Sequence, residues 1–501
     1  MRIMRHGRAS QWRKEKIMRG LRVAALALLV CVSPFPARAG FQDPQALSSQ
    51  SAERQVVLGN KTLRYRASYS ELVLKSGAGV PQATISATSY VVQGATDRAR
   101  PIIFAFNGGP GASSSPLQFS VMGPRIRAES GGGMVDNAQS PLDLADLVFI
   151  DPVGTGFSRV LPGGSGKPFW SIDGDAAAVG QLIHAWLRQN GREGTPVYIA
   201  GESYGGTRLM ALLPLVSNLN LAGVLMISPA LDMPSDDSDL GAALTLPSLA
   251  VAAVQNGKVP ARGRSIPQIF EEARVFATGR YASALFKGSA IAPDEEADVA
   301  RQLSALIGLP VEDLIASHLR VDVETYRRSL RKNDGLVVGR LDSRVVAPIP
   351  TSSPNRPSAA NDPALGLGKS NVILSAPITS YFRQELGFTA PLDYVSLTLD
   401  VNFQWIWPPV QGRGAATGLT KNLADAMQAH PKLQAVLIGG YYDLAVPVLL
   451  PRYAIDHAWL PANRIRLVAR ESGHSVFENP DGRREMKSLV AQLLGNNRGT
   501  N

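Results

Sequence analysis

Cysteine is almost missing from this chain. Cys31 is the only one in 501 residues, and it falls in a stretch whose pattern predicts removal. A mature chain without thiols has no disulfides, no thiolate metal site and no cysteine nucleophile, so its stability must come from its core. Long apolar runs are missing too. The run Val23–Val32 (VAALALLVCV) has ten residues, against about 20 needed to span a bilayer. Histidine is scarce, at six, which shortens any search for a general base. Strong charge is absent from the body of the chain. The net charge is +10, but the first 39 residues hold nine Lys/Arg and one acidic residue, Glu15, which leaves +2 for the rest. A body that near neutrality gives no reason to expect a nucleic-acid partner.

What the first 39 residues do hold is a basic start, the short apolar run, Pro34 and Pro36, and then Ala37-Arg38-Ala39. That is the pattern of a secretory signal peptide. It predicts an exported protein, periplasmic or extracellular, whose mature chain begins near Gly40, with Met18 as an alternative start. Val30 before Cys31 argues against a lipid-anchored cysteine, and no stable membrane anchor is expected once the signal is gone. The composition, 45% hydrophobic and 18% charged, is that of a globular protein.

Six apolar runs read as buried parallel strands: Ile102–Phe106, Leu147–Ile150, Val197–Ala200, Gly223–Ile227, Ala435–Ile438 and Ile465–Ala469. Near-continuous runs suit strands covered on both faces. Thr62–Leu74 and Ala83–Val92 alternate and suggest antiparallel strands at one edge. A helix with an apolar stripe (Val179, Leu182, Ile183, Trp186, Leu187), capped by Asp173, precedes the third run. Strand and helix in alternation imply a doubly wound, mostly parallel α/β sheet. The rhythm stops after Asp232 and resumes near Lys432. Between them the sequence reads as helices over Leu240–Asn256, Ile266–Phe286, Glu295–Ile307 and Val323–Lys332, then a polar stretch, Pro348–Pro363. The expected organisation is a signal peptide (1–39), a first core part (40–232), a largely helical cap insertion (233–431) of about 200 residues, the size of a domain, and a second core part (432–501). Gly163–Lys167 imitates a phosphate loop, but Leu161 and Pro168 stand where glycine and Ser/Thr are required, so a surface turn is expected.

Gly201-Glu202-Ser203-Tyr204-Gly205 fits G-x-S-x-G between a predicted strand and a helix-forming run, Thr207–Leu215. Glycines leave room for a sharp elbow that exposes the serine hydroxyl. A serine needs a base. His474, after the last predicted strand, is the candidate, and Asp443, after Gly439-Gly440-Tyr441-Tyr442, is the acid to orient it. The order Ser203, Asp443, His474 is that of the α/β-hydrolase triad. His184 is expected to be exposed, and His318, His430 and His457 to serve surface or packing roles. Asp456 is a rival acid within a helix-forming stretch. Asn107-Gly108-Gly109-Pro110-Gly111 could be a plain turn, but it follows a core strand where one oxyanion amide is supplied. The amides of Gly109 and Tyr204 are therefore the expected oxyanion hole. No cofactor or metal is expected.

The segments Asn107–Ser114 (NGGPGASS), Asp151–Ser158 (DPVGTGFS), Gly201–Gly206 (GESYGG), Gly439–Asp443 and Gly473-His474 resemble the serine carboxypeptidases, particularly their bacterial branch. Weaker likeness lies in Leu246–Lys258 and Gly339–Arg344 (GRLDSR). The resemblance implies an α/β-hydrolase fold, a peptide substrate, and a subsite for its C-terminal carboxylate made by Asn107, the amide of Gly108, and Glu202. Glu202 suits that role only if protonated, since two carboxylates in contact do not both stay ionised; the alternative is a buried glutamate bonded within the elbow. The chain departs from the eukaryotic pattern at Ala105, usually Trp; at Val121, where a second glutamate is expected; at Ala112, usually Cys; and at Ser475, usually Met. These changes leave the triad intact and alter the carboxylate subsite. An esterase or acyltransferase using the same acyl-enzyme, and a non-catalytic binding protein on the same scaffold, are the other readings.

Overall fold

Ile102, Phe104 and Phe106 pack into one hydrophobic cluster and Ile103 and Ala105 into another. Successive side chains of a strand point to opposite faces, so a run apolar at every position needs cover on both sides. The computed structural model of the protein provides it. It describes residues 47–94, 99–129, 131–235, 238–349, 358–367, 370–390, 392–408 and 418–495. The chain divides into two units, Met1–Asp43 and Pro44–Asn501. The predicted signal segment lies outside the described residues, all of which belong to the second unit.

Nine strands form the main sheet: β1 (Ser48–Leu58), β2 (Lys61–Lys75), β3 (Pro81–Val92), β4 (Ile102–Phe106), β5 (Asp146–Asp151), β6 (Val197–Glu202), β7 (Leu221–Ile227), β8 (Gln434–Gly440) and β9 (Ile465–Arg470). Their order is β1-β2-β3-β5-β4-β6-β7-β8-β9. The first three strands and the β3–β5 pair are antiparallel, and the remainder are parallel. This is the α/β-hydrolase fold. The helix α1 (Ile172–Gln189) buries Val179, Leu182, Ile183, Trp186 and Leu187 against one face. The C-terminal helix Pro480–Gly495 buries Met486, Leu489, Val490 and Leu493 on the other.

Several expectations need correction. The cap of α1 is Ser171, whose side chain accepts from the Gly174 amide, while Asp173 lies in the first turn. The helix after the elbow, α2 (Tyr204–Leu212), begins three residues earlier than predicted and passes into a 3₁₀ turn, Leu213–Val216, because Pro214 cannot continue it. β1 was not anticipated; only Val56 and Leu58 along it are buried, so it carries no alternating signal. Gly163 lies in a turn at φ +76°, and Lys167 opens a short 3₁₀ helix, Lys167–Phe169.

Between β7 and β8 the chain runs through α3 (Asp239–Gln255), Ile266–Phe276, a π turn at Ala277–Tyr281, Ala282–Lys287, Pro293–Ile307, Val311–Ala316 and Val323–Ser329. These helices share a core of their own with Tyr442, Leu444, Val448 and Leu449, which lie just beyond β8. The second half of this stretch is less helical than predicted: it holds two short antiparallel pairs, Leu336–Val338 with Val346–Pro348 and Val372–Leu374 with Val395–Thr398. Among the described residues, no helix is long and apolar enough to cross a membrane.

Candidate active site

The catalytic candidates sit at the carboxyl ends of four parallel strands: Asn107 after β4, Ser203 after β6, Asp443 after β8 and His474 after β9. This is where open α/β sheets place their ligands. Ser203 has φ 62° and ψ −128°, a backbone conformation that costs a non-glycine residue of order 1–3 kcal/mol. The elbow is held by its neighbours. The Ser203 amide donates to the Ile227 carbonyl at 2.9 Å, and the Ala230 amide donates to the Ser203 carbonyl at 3.0 Å. A Cβ at Gly201 would lie 2.5 Å from the Gly205 carbonyl oxygen, and one at Gly206 would lie 2.5 Å from Pro229 Cβ. Those glycines are there for lack of room. Glu202 and Tyr204 are buried; Ser203 is partly exposed.

Asp443 and His474 are in contact. The His474 Nδ1–H donates to Asp443 Oδ2 at 2.6 Å, while Asp443 Oδ1 accepts from the amides of Ala445 (2.8 Å) and Val446 (2.9 Å). Asp443 is wholly buried. With Nδ1 occupied as donor, Nε2 carries the lone pair that a serine hydroxyl needs. Burial opposes the imidazolium, but the Asp443 carboxylate, its hydrogen bond and the Glu202 charge together outweigh that and raise the His474 pKa above its ordinary value. Ser228 ties this loop to the elbow side: its hydroxyl donates to the His474 carbonyl at 2.8 Å, and its amide to Ile438 at 2.7 Å.

The glycine loop lies against the elbow. A Cβ at Gly108 would come within 2.4 Å of the Tyr204 amide nitrogen and 2.8 Å of the Glu202 carbonyl oxygen. Among the described residues the amides of Gly108, Gly109 and Tyr204 have no acceptor. Unbonded amides beside the elbow, those of Gly109 and Tyr204 among them, suit an oxyanion. Burial pushes the Glu202 carboxyl up to about 7; the His474 charge works against that, Glu478 adds to it, and the side-chain amide of Asn107 faces it. Asn107 Oδ1 is taken by the Leu117 amide at 3.1 Å, which leaves Nδ2 for the carboxyl. Ala105 and Val121 are 1% and 3% exposed and belong to the core beneath the sheet.

Two supports escaped the sequence reading. Asp151 accepts from the amide and hydroxyl of Ser114 (2.8 and 2.7 Å) and from the Tyr394 hydroxyl (3.1 Å). Burial raises it to about 6 against those bonds, and it anchors the far end of the glycine loop. Arg208, wholly buried in α2, donates to Asp175 Oδ2 at 2.6 Å and to the Asn107 carbonyl at 2.5 Å, with its guanidinium 5.2 Å from both the Phe106 and Tyr204 rings. One basic residue inside the apolar run after the elbow was the available signal. Arg208→Leu is expected to cost about 3–5 kcal/mol, because it strands the buried Asp175 carboxylate. Urea unfolding of the single variant and of Arg208→Leu/Asp175→Leu checks this; the double variant should recover much of the loss.

The rival residues lie elsewhere. His184 is half-buried, not exposed as predicted, with Nε2 3.3 Å from the Leu215 carbonyl oxygen. His430 meets the Ser217 carbonyl, His457 stacks on Tyr453, and Asp456 lies 3.7 Å from Arg452 on an exposed helix face. Among the described residues no cluster of three or more His, Cys, Asp or Glu could hold a metal.

Residues 86–238 match the family described as Serine carboxypeptidase (Peptidase_S10). That segment holds the glycine loop and the elbow and stops short of Asp443 and His474. The chain is 32% identical over 148 residues to Serine carboxypeptidase-like 36 of Arabidopsis thaliana, covering 27% of this chain and 30% of that protein. It is 34% identical over 126 residues to the Pheromone-processing carboxypeptidase KEX1 of Phaeosphaeria nodorum, covering 25% and 19%. The likeness thus spans less than a third of either relative. A crystal structure of a prohormone-processing carboxypeptidase, KEX1(Δ)P of Saccharomyces cerevisiae, aligns over 90% of this chain and 91% of that one at 14% identity, with a TM-score of 0.49.

Proposed function

We propose that this chain is an exported serine carboxypeptidase that removes C-terminal residues from peptides through an acyl-enzyme. Ser203 Oγ attacks the scissile carbonyl carbon as His474 Nε2 takes its proton. The oxyanion forms against the amides of Gly109 and Tyr204. Collapse breaks the C–N bond, and His474 returns the proton to the departing amine. Water then adds to the acyl carbon by the same route and frees Ser203. Asn107, the Gly108 amide and Glu202 take the terminal carboxylate of the substrate, and the segment 233–431 serves as the cap.

The observation that carries this reading is the Glu202 carboxyl. It is buried beside the nucleophile, titrates near 7 and faces an asparagine amide. A neutral carboxyl can donate a hydrogen bond to a carboxylate; an ionised one repels it. The free Gly108 amide adds a second donor. Mass spectrometry of peptides with free and amidated C-termini tests it: residues should be lost from the free acids and not from the amides.

The pH dependence follows in sign. As pH rises through about 7, Glu202 ionises and hydrolysis of free-acid peptides should fall; as pH drops, His474 protonates and all substrates should slow. Substrates without a carboxylate should keep their activity on the alkaline side. Glu202→Gln stays neutral, so it should flatten the alkaline loss for free-acid peptides and change ester hydrolysis by less than about threefold, on the scale of one neutral hydrogen bond. Identical alkaline limbs in wild type and Glu202→Gln would refute the role.

A general esterase or acyltransferase is the second reading. It is favoured by the burial of Ala105 and Val121 in the core. Two positions that the resemblance assigns to the carboxylate subsite thus carry apolar side chains that cannot bond a carboxylate.

A further inference from the structure

A third segment, Arg340–Ser343, runs between the loops of Asp443 and His474. The His474 amide donates to the Leu341 carbonyl at 2.7 Å, the Leu444 amide to the Arg340 carbonyl at 2.9 Å, and the Ser343 amide to the Tyr442 carbonyl at 2.9 Å. From its other side, the amides of Arg340 and Leu341 donate to the buried Asp362 carboxylate at 3.0 and 2.9 Å. A Cβ on Gly473 would lie 2.7 Å from Asp342. The backbone at residue 340 is thus fixed on both sides, one residue from the bond that holds His474.

The Arg340 side chain is partly buried, yet its guanidinium has no hydrogen-bond or ion-pair partner among the described residues. Other buried or partly buried arginines do have partners: Arg192 with Asp146, Arg208 with Asp175, Arg327 with Glu324 and Arg470 with Glu485. The charge of Arg340 reaches the imidazole of His474 and opposes its protonation, whereas Asp443 and Glu202 favour it. Neither carboxylate pairs with Arg340. An unpaired guanidinium leaves its planar fork free for an anion, and that fork fits a carboxylate.

We infer that Arg340 is a binding residue for a carboxylate carried by the leaving group of the substrate, beside His474. The inference rests on the Ser203–His474 reading, because the imidazole hands its proton to the departing group and so lies next to it. Unlike Glu202, an arginine is charged at every working pH. The carboxylate is either the chain terminus or the acidic side chain of the last residue.

The test uses pairs of esters with one acyl group and a leaving group that carries either a carboxylate or its amide. A second set of peptides ends in a neutral or an acidic residue, each as free acid or amide. Arg340→Gln should lower kcat/KM about 10–100-fold for carboxylate-bearing leaving groups, the range expected of one charge-assisted hydrogen-bonding pair. The loss should fall mainly on KM and be at least tenfold smaller for the amide partner. Loss that follows free acid against amide identifies the terminus as ligand; loss that follows acidic against neutral residues identifies the side chain. Fluorophosphonate labelling of Ser203 reports that the variant is folded. Equal loss on charged and uncharged partners, or no loss, overturns the inference. If Arg340→Gln does not fold, the wild type decides. Its preference for the carboxylate-bearing ester should persist above pH about 8, where Glu202 is ionised, and a preference that vanishes with Glu202 overturns the inference. A wild type that cleaves the esters in this pattern but no peptide counts against the carboxypeptidase reading alone.

Discussion

Replacing Ser203 by alanine is expected to lower kcat on the order of 10⁶-fold while leaving the unfolding midpoint near that of the wild type. In the proposed mechanism the hydroxyl is the atom that bonds to the acyl carbon, and nothing adjacent can replace it: Glu202 is directed at Asn107 and Tyr204 opens α2. A residual rate of about 10³–10⁴ over water should remain, because the amides of Gly109 and Tyr204 still stabilise an oxyanion formed by water attack. Stability should not fall, and a small gain is reasonable, because alanine meets the same strained φ of 62° without a hydroxyl to desolvate. Burst kinetics with an activated ester and thermal unfolding of the same preparations measure both. Activity near wild type would remove Ser203 from the chemistry.

Asp443→Asn is the second large effect, about 10⁴-fold in kcat with little change in KM. The geometry decides which way the new amide points. Oδ1 of Asp443 accepts two backbone hydrogen bonds, from Ala445 and Val446, so the asparagine must keep its oxygen there. Its NH₂ then faces His474 Nδ1, where the carboxylate had accepted a proton at 2.6 Å. Two donors cannot share that contact, so Nδ1 gives up its hydrogen and Nε2 takes one. The base then points a proton at the serine it should deprotonate. Loss of the Asp443 charge also removes the main influence that raises the His474 pKa, so residual activity should persist further into acid than in the wild type. The pH–rate profile of the variant, measured with an ester that lacks a carboxylate, reports both effects. A loss of less than tenfold would mean that Asp443 does not orient His474.

Parts of this molecule that depend on near neighbours in sequence were legible without coordinates. The six buried strands announced themselves because an apolar run of four or five residues has few other uses. The elbow did so because its glycines and its serine are packed into five positions. The supports were not legible, because each is a pair distant in sequence. Arg208 finds Asp175 33 positions earlier and the Asn107 carbonyl 101 earlier. Asp151 finds Tyr394 243 positions later. The segment Arg340–Ser343 gave only a weak likeness, since its backbone bonds to His474 and Leu444 leave no trace in composition. The edge strand β1 was missed for a different reason: it is held chiefly by backbone pairing to β2 over Ser48–Leu58, and its exposed polar side chains look like those of a loop. The cap of α1 was misplaced by two residues because serine and aspartate serve equally well there, and only the accepting geometry at Ser171 distinguishes them.

The sheet order has a consequence for when the protein can act. β8 pairs with β7 in the register Gln434↔Gly223, so neighbours in space are contributed by stretches more than two hundred residues apart. Contacts of that sequence separation are slow to form, because the intervening loop must close before they give anything back. A ribosome finishes the elbow and the glycine loop long before it reaches Asp443 and His474. Until residues 432–501 have emerged and β8 and β9 have docked, the proposed nucleophile lacks its proposed base. A chain threaded through a membrane in unfolded form would therefore be catalytically silent throughout transit, with no separate inhibitory segment needed to keep it so.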